Sequence, residues 1–298
     1  MSVKNSLVNK ESNQRLGIGA YLTSTKIKDQ INKAVGGKDG QRFISAIISA
    51  TTANPALQEC TNQSILSGAL LGESLKLSPS PQLGQYYLVP FNEKTTQKDE
   101  NGQPIYIKKA QFQLGYKGYI QLAIRSGQYK KLNVLSIKEG ELIRFDPLNE
   151  EIEVKLIDDE AEREQAQTVG YYAMFEYTNG FKKAMYWSKA KMEAHAIKYS
   201  PGFAADKRKG TAFTFWSKDF DGMAYKTLLR QLISKWGIMS IDMISAFDSD
   251  YAVINEDGTK NYVETETDVI EMEMPEVQEE KTESSENTTD AAAALFGE

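Results

Sequence analysis

One cysteine and one histidine stand in a chain of 298 residues. Cys60 alone forms no intrachain disulfide, which fits a reducing compartment. A lone His195 and a lone Cys60 do not by themselves build a zinc site or a Cys–His nucleophile. His195 follows Glu193 on a predicted helix and reads as a surface or structural residue, and Cys60, beside Leu57, as a small core residue. No run approaches the roughly 20 apolar residues of a membrane helix. The opening "MSVKNSLVNKESNQRLG" lacks the apolar stretch of a signal peptide, so a cytoplasmic protein without a membrane partner is expected. No phosphate-binding GxxxxGK[ST] loop is present, which argues against ATP-driven strand exchange. Asp158, Asp159 and Glu160 sit in an acidic, loop-like run, while Asp219 and Asp221 point in different directions on a predicted helix. Neither set makes a credible ligand cluster for a metal nuclease.

Acidic residues are missing in one place. Residues 101–135 hold six Lys or Arg and no Asp or Glu, in a chain of formal charge -6. Within that segment "FQLGYKGYIQLAIRSGQYKKL" carries four basic residues, three tyrosines and three glycines. The overall charge conceals this sorting. Residues 264–298 contain twelve acids and one lysine, and the rest of the chain, set against the total of -6, carries +5. Residues 178–235 carry +8 and residues 139–168 carry -8. Blocks of this kind bear on partners and association.

At 41% apolar residues the chain can bury one substantial core, or one core and a smaller packed element. Residues 1–40 are polar and end in the break "GGKDG", so they read as an arm whose helices are short or detached, and which contacts a neighbouring subunit. A helix is predicted over 42–53, with Phe43, Ile44, Ile47 and Ile48 on one side and Asn54-Pro55 ending it. A second runs from 62 to about 75. Strands follow at "YYLVPF" and "IYIKKAQFQL", around an Asn101-Gly102 turn, and then at 132–137, 142–145 and 152–157. "VGYYAMFEY", Asn179-Gly180 and "FKKAMYW" predict a hairpin, because Asn-Gly supplies the positive φ angles of a tight turn. Ser188 is placed to cap a helix through Tyr199, and a last helix covers about 220–236. This is an α+β pattern over 41–240. Residues 241–262 form an extension without a clear pattern, and 263–298 have the composition of a disordered acidic tail.

Two segments carry the candidate chemistry. In the acid-free stretch Tyr116, Tyr119 and Tyr129 suit base stacking or half-buried packing, and Lys117, Arg125, Lys130 and Lys131 suit phosphates. Gly115 and Gly118 allow a close backbone approach to a ligand. On the helix "DFDGMAYKTLLRQLISKW", Leu228, Leu229, Leu232, Ile233 and Trp236 fall on one arc toward the core. Asp219, Lys226 and Arg230 fall opposite, and the two cations at i,i+4 stack as an exposed ridge. That ridge reads either as a pair of phosphate contacts or as a solvated face.

Four ordered stretches, "NPALQEC", "LGESLKLSPSPQLGQYYLVPF", "FQLGYKGYIQLAIRSG" and "DGMAYKTLLRQLISKW", resemble the RecT family of phage and prophage single-strand DNA annealing recombinases. The likeness spans residues 42–236 and implies a core of a small twisted antiparallel β-sheet braced by helices, in line with the strands and helices read above. It implies ATP-independent annealing of complementary single strands in a bacterial host cell, with no covalent chemistry, no metal site and no catalytic cofactor. Magnesium would at most modulate DNA binding. It further implies homo-oligomers, as rings or helical filaments, that hold an annealed duplex intermediate in a basic groove. The expected partners are a phage exonuclease and the host single-strand DNA-binding protein, and the acidic tail would contact the latter or screen an empty groove. The motifs place Lys117, Arg125, Lys226 and Arg230 at the DNA backbone, so Lys226→Ala or Arg230→Ala is expected to weaken binding across sequences and to lower its salt slope. Phe112, Tyr116 and Tyr119 are placed as base or core contacts. The rival readings are a single-stranded DNA-binding protein that does not anneal, a nuclease and a virion structural protein.

Overall fold

A computed structural model describes residues 17–262 apart from 100 and 256. The predicted acidic tail and the first sixteen residues of the arm lie outside the described residues. The described residues begin with α1 (Ile18–Thr23), α2 (Thr25–Val35) and α3 (Gly37–Ala53). A 3₁₀ turn over Pro55–Glu59, with Pro55 at its start, separates α3 from α4 (Asn62–Ser74). α1, α2 and α3 pack on one another, and α4 packs on strands β1 (Tyr86–Lys98) and β2 (Pro104–Leu114), an antiparallel hairpin that turns at Gly102, φ 74°. The first core joins Leu22, Ile31, Ile44 and Ile47 to Leu66, Tyr86 and Phe112. Leu22 and Ile31 are fully buried, so α1 and α2 are short but not detached. Of the two alternatives expected there, short or detached, residues 17–35 show the first, and Ile18, Tyr21, Ile27 and Val35 also pack against this core.

After β2, Gly115 leads into α5 (Tyr116–Arg125), and Gly127 at φ 69° turns the chain into β3 (Tyr129–Lys138). A small hairpin follows, of β4 (Leu142–Asp146) and β5 (Glu151–Val154), then α6 (Glu160–Gln165). β6 (Thr168–Tyr177) and β7 (Lys182–Ser188) form the predicted hairpin, with Gly180 at φ 88°, and β6 also pairs with β3. Ser188 caps α7 (Lys189–Tyr199) by accepting from the Lys191 N–H. Then come α8 (Pro201–Lys209), the single turn α9 (Phe215–Lys218) and α10 (Phe220–Trp236). The second core gathers Tyr171, Phe175, Met192, Phe203, Trp216, Leu228 and Leu232.

The α+β expectation holds in its coarse form: small antiparallel sheets are braced by helices. Instead of one sheet, the described residues form three, ordered β1-β2-β8-β9, β3-β6-β7 and β4-β5. The extra strands β8 (Ala252–Ile254) and β9 (Lys260–Tyr262), and α11 (Ile241–Ser249) before them, come from the extension that had no clear pattern. Met243, Ala246 and Phe247 of α11 are buried, and Ala252 sits opposite Phe112 on β2. Residues 241–254 therefore complete the first core.

α10 also departs from its predicted role as a one-sided helix. Ile233 belongs to the first core and Leu228, Leu229 and Leu232 to the second. A helix lodged between two cores is covered nearly all round. Trp236, expected on the core arc, is 37% exposed at its C-terminus.

Gly115 and Gly118 do make a close backbone approach, but to the protein itself. A Cβ on Gly118 would lie 2.1 Å from the Gln85 carbonyl oxygen, and one on Gly115 2.2 Å from that of Gly84. The Gly115 N–H donates to the Gln85 carbonyl at 2.8 Å. Gly118→Ala is therefore expected to cost about 1–3 kcal/mol by overpacking, seen as a lower urea midpoint. An unchanged midpoint would mean that α5 does not depend on this contact.

Candidate nucleic-acid interface

The acid-free segment folds as β2, α5 and the start of β3. Of its six cations, four find acids brought from elsewhere in the chain. Lys108 pairs with Glu59 and Lys109 with Glu93. Lys130 and Lys131 lie 2.8 and 4.0 Å from the buried Glu176, which Lys182 also approaches. The hydrogen bond from Lys130, with the charges of Lys182 and Lys131, holds the Glu176 carboxyl below its ordinary range. Three ammonium groups around one carboxylate leave excess positive charge at the surface. The Lys130 and Lys131 side chains stay 58% and 65% exposed, and ion pairs that open to solvent are weak.

Lys117 and Arg125 have no carboxylate partner among the described residues. Lys117, exposed on the first turn of α5, runs beside Gly84, and its ammonium is 5.9 Å from the Tyr116 ring. Arg125 ends the same helix and donates to the Leu75 carbonyl at 2.6 Å, just past α4. A cation suits that helix end. Eight residues of helix separate the two, about 12 Å.

Phe112 and Tyr119 are fully buried and present no ring to a base. Tyr116 is half-buried, edge-on to Tyr225 at 5.6 Å. Tyr129 is held by Phe175 and Tyr177, and its hydroxyl donates to the Ile238 carbonyl.

The exposed ridge expected on α10 is absent. Lys226 and Arg230 are 3% and 8% exposed and both point at Asp250. Asp250 Oδ1 accepts from the Leu114 N–H at 2.8 Å and Lys226 Nζ at 3.3 Å. Its Oδ2 accepts from the Tyr119 hydroxyl at 2.9 Å and Arg230 at 2.8 Å. Burial pushes the Tyr119 phenol well above its ordinary range, so it stays neutral and donates. Lys226 also lies 3.9 Å from the Tyr251 ring centre and Arg230 5.3 Å from that of Phe247. Helical spacing did place the two cations together, but it could not show that an acid twenty residues on would fold over them.

Three of the five acids weighed as metal ligands have other work. Asp159 caps α6 and Asp219 caps α10, while Asp221 accepts from the Tyr171 hydroxyl at 2.6 Å. Among the described residues no group of three or more His, Cys, Asp or Glu is placed to hold a metal ion. No described helix is long and apolar enough to cross a membrane.

A surface with exposed cations at both ends of α5, on a mixed α+β frame, suits a polyanionic partner. The chain matches the model described as the RecT family over residues 41–285, and it belongs to that family. It is 28% identical over 232 residues to "Protein RecT" of Escherichia coli (strain K12), covering 78% of this chain and 79% of that one. It is 35% identical over 297 residues to "Uncharacterized protein YqaK" of Bacillus subtilis (strain 168), covering 96% of this chain and 92% of the other.

Asp250→Ala would strip two buried cations of this carboxylate, at an expected cost of about 3–5 kcal/mol in urea unfolding. Adding Lys226→Met and Arg230→Met to that variant is expected to restore much of the stability, because no buried charge then remains at the site. A single Asp250→Ala variant as stable as the parent would refute this account of the cluster.

Proposed function

We propose that this protein anneals complementary single strands of DNA without ATP, as a passive recombinase of its family. Family membership carries the reading, and the cationic ends of α5 support it. Two phosphate chains repel one another, and each strand forms hairpins. A repeated basic surface lowers both barriers by neutralising phosphates while leaving bases free to pair. Lys117, Arg125, Lys130 and Lys131 are the proposed backbone contacts, with Tyr116 beside Lys117. Lys226 and Arg230 serve that surface indirectly, by fixing α5 against α10 through Asp250.

The working form proposed is a homo-oligomer, ring or helical filament, holding an annealed duplex intermediate. The acidic block at 139–168 and the basic block at 178–235 favour head-to-tail packing of subunits. The β4-β5 hairpin adds Ile143 and Leu148, 58% and 88% exposed, as apolar surface for such a contact. A phage exonuclease and a host single-strand DNA-binding protein are the proposed partners. A monomer at all concentrations and DNA lengths in sedimentation would overturn the oligomer.

The deciding experiment mixes two complementary dye-labelled oligonucleotides without ATP, with and without the protein, and checks strand length on a denaturing gel. Faster pairing of intact strands is expected. Tight binding without acceleration would leave a non-annealing single-stranded DNA-binding protein, and shortened strands would mean a nuclease.

Salt dependence separates the residue roles. Lys117→Ala, and Lys130→Ala with Lys131→Ala, are expected to weaken binding for every sequence. They should also lower the slope of log K against log salt by about 0.7 for each phosphate no longer neutralised. Lys226→Ala and Arg230→Ala are expected to lower stability with the slope unchanged. A lowered slope for either α10 variant would return that residue to the phosphate-binding set.

A further inference from the structure

The turn between α8 and α9 is held from within. Asp206, 4% exposed, accepts five hydrogen bonds from three residues of that turn and one of α9. They are the Thr211 hydroxyl at 2.6 Å, the Phe213 N–H at 3.0 Å, the Thr214 N–H and hydroxyl at 2.9 Å each, and the Ser217 hydroxyl at 2.7 Å. The hydrogen bond from Thr211, with those from Thr214 and Ser217, keeps the carboxyl well below its ordinary range, so it remains an acceptor. An ordinary surface turn is satisfied by water, whereas this one is fixed at the residues on either side of an outward-facing ring.

That ring is Phe213, 78% exposed. Two residues on, Phe215 is 38% exposed, and its ring lies 5.8 Å from that of Tyr87. Tyr87 and Lys117 both stand against Gly84, so the aromatic ledge runs back to the cationic first turn of α5. From residue 207 to 218 there are four basic residues and no acid, the same composition as the segment at 101–135. Arg208 and Lys209 are exposed, Lys207 is exposed but pairs with Glu193, and Lys218 stands in the last turn of α9. A rigidly held aromatic among cations stacks on unpaired bases, whatever their sequence, since every base has a π-face.

We propose that Phe213 stacks on an unpaired base of the bound strand, and that Asp206 is the positioning residue that holds it there. This rests on the single-strand DNA reading above. The ledge from Phe213 through Phe215 to Tyr87 then lies beside the bases, while Lys117 and Lys218 flank the backbone.

The test measures binding of the full chain to a single-stranded oligonucleotide carrying 2-aminopurine, at several salt concentrations. Phe213→Ala is expected to weaken binding about 5- to 150-fold, the effect of removing one base–aromatic stack, without changing the salt slope and with less quenching of the probe. Phe213→Trp is expected to keep both affinity and quenching. Asp206→Ala should weaken binding with the slope unchanged, and Asp206→Ala with Phe213→Ala should be no weaker than Phe213→Ala alone. Additive effects would overturn the positioning role. Binding of Phe213→Ala equal to that of the parent would overturn the stacking role. If that variant instead lost only self-association in sedimentation, the ledge would be a contact between copies of the chain. Failure of the parent to bind any single strand would overturn the functional reading itself.

Discussion

The carboxylate of Asp250 is the point on which the fold depends. Its two oxygens take four donors from three elements: the end of β2, the middle of α5 and two turns of α10. A buried charge is tolerable only when it is paired and hydrogen-bonded. Lys226 and Arg230 therefore tie α10 into the first core only when residue 250 has closed over them. The partners lie up to 136 residues apart in sequence. Everything that α10 positions, from the base of the β3-β6-β7 sheet to the packing of α5, inherits that condition.

The same device recurs with different consequences. Glu141, its side chain wholly buried, accepts from the Lys138 N–H, the Ile157 N–H and the Arg163 guanidinium, which anchors the β4-β5 hairpin at its root. Glu176 gathers three lysines at the rim of the second sheet. Asp206 fixes the turn before α9. At these four places the carboxylate is inside, and at Glu176 and Asp206 the neighbouring cations face solvent. With the chain outside 264–298 carrying +5, this leaves cationic surface around α5 and along 207–218. The acid-free composition of 101–135 is thus only partly a free positive charge. Most of its cations are met by acids from other segments, and Lys117 and Arg125 are the two left without one among the described residues.

Much of the fold was legible because it rests on local rules. Asn179-Gly180 and Asn101-Gly102 marked their turns, Ser188 marked the start of α7, and the apolar spacing of 42–53 marked α3. Failures occurred where tertiary context overrode a local signal. Tyr119 and Phe112 look like ligand-facing aromatics beside glycines and lysines, yet both lie in the first core, because Gly115 and Gly118 bring α5 against the chain at residues 84 and 85. The sorting of apolar residues on α10 suggested one buried arc, but two cores enclose the helix and bury its polar side as well. Phe213 and Phe215 gave a legible signal in the run of cations without acids around them, which composition taken over longer blocks dilutes.

The sequence by itself determined the family, the order and type of most elements, and the segments where acids are excluded, since these depend on neighbours within a few residues or on the ordered motifs. It also determined that Lys226 and Arg230 stand together, one helical turn apart. Only the tertiary structure decided which way they face. Helical periodicity relates a side chain to its own axis, not to a carboxylate at the end of α11, and the free energy of burying two cations is favourable only once that carboxylate arrives. The same reason explains why the exposed Phe213 could not be assigned from periodicity: its orientation is set by one buried acid, and burial belongs to the assembled fold.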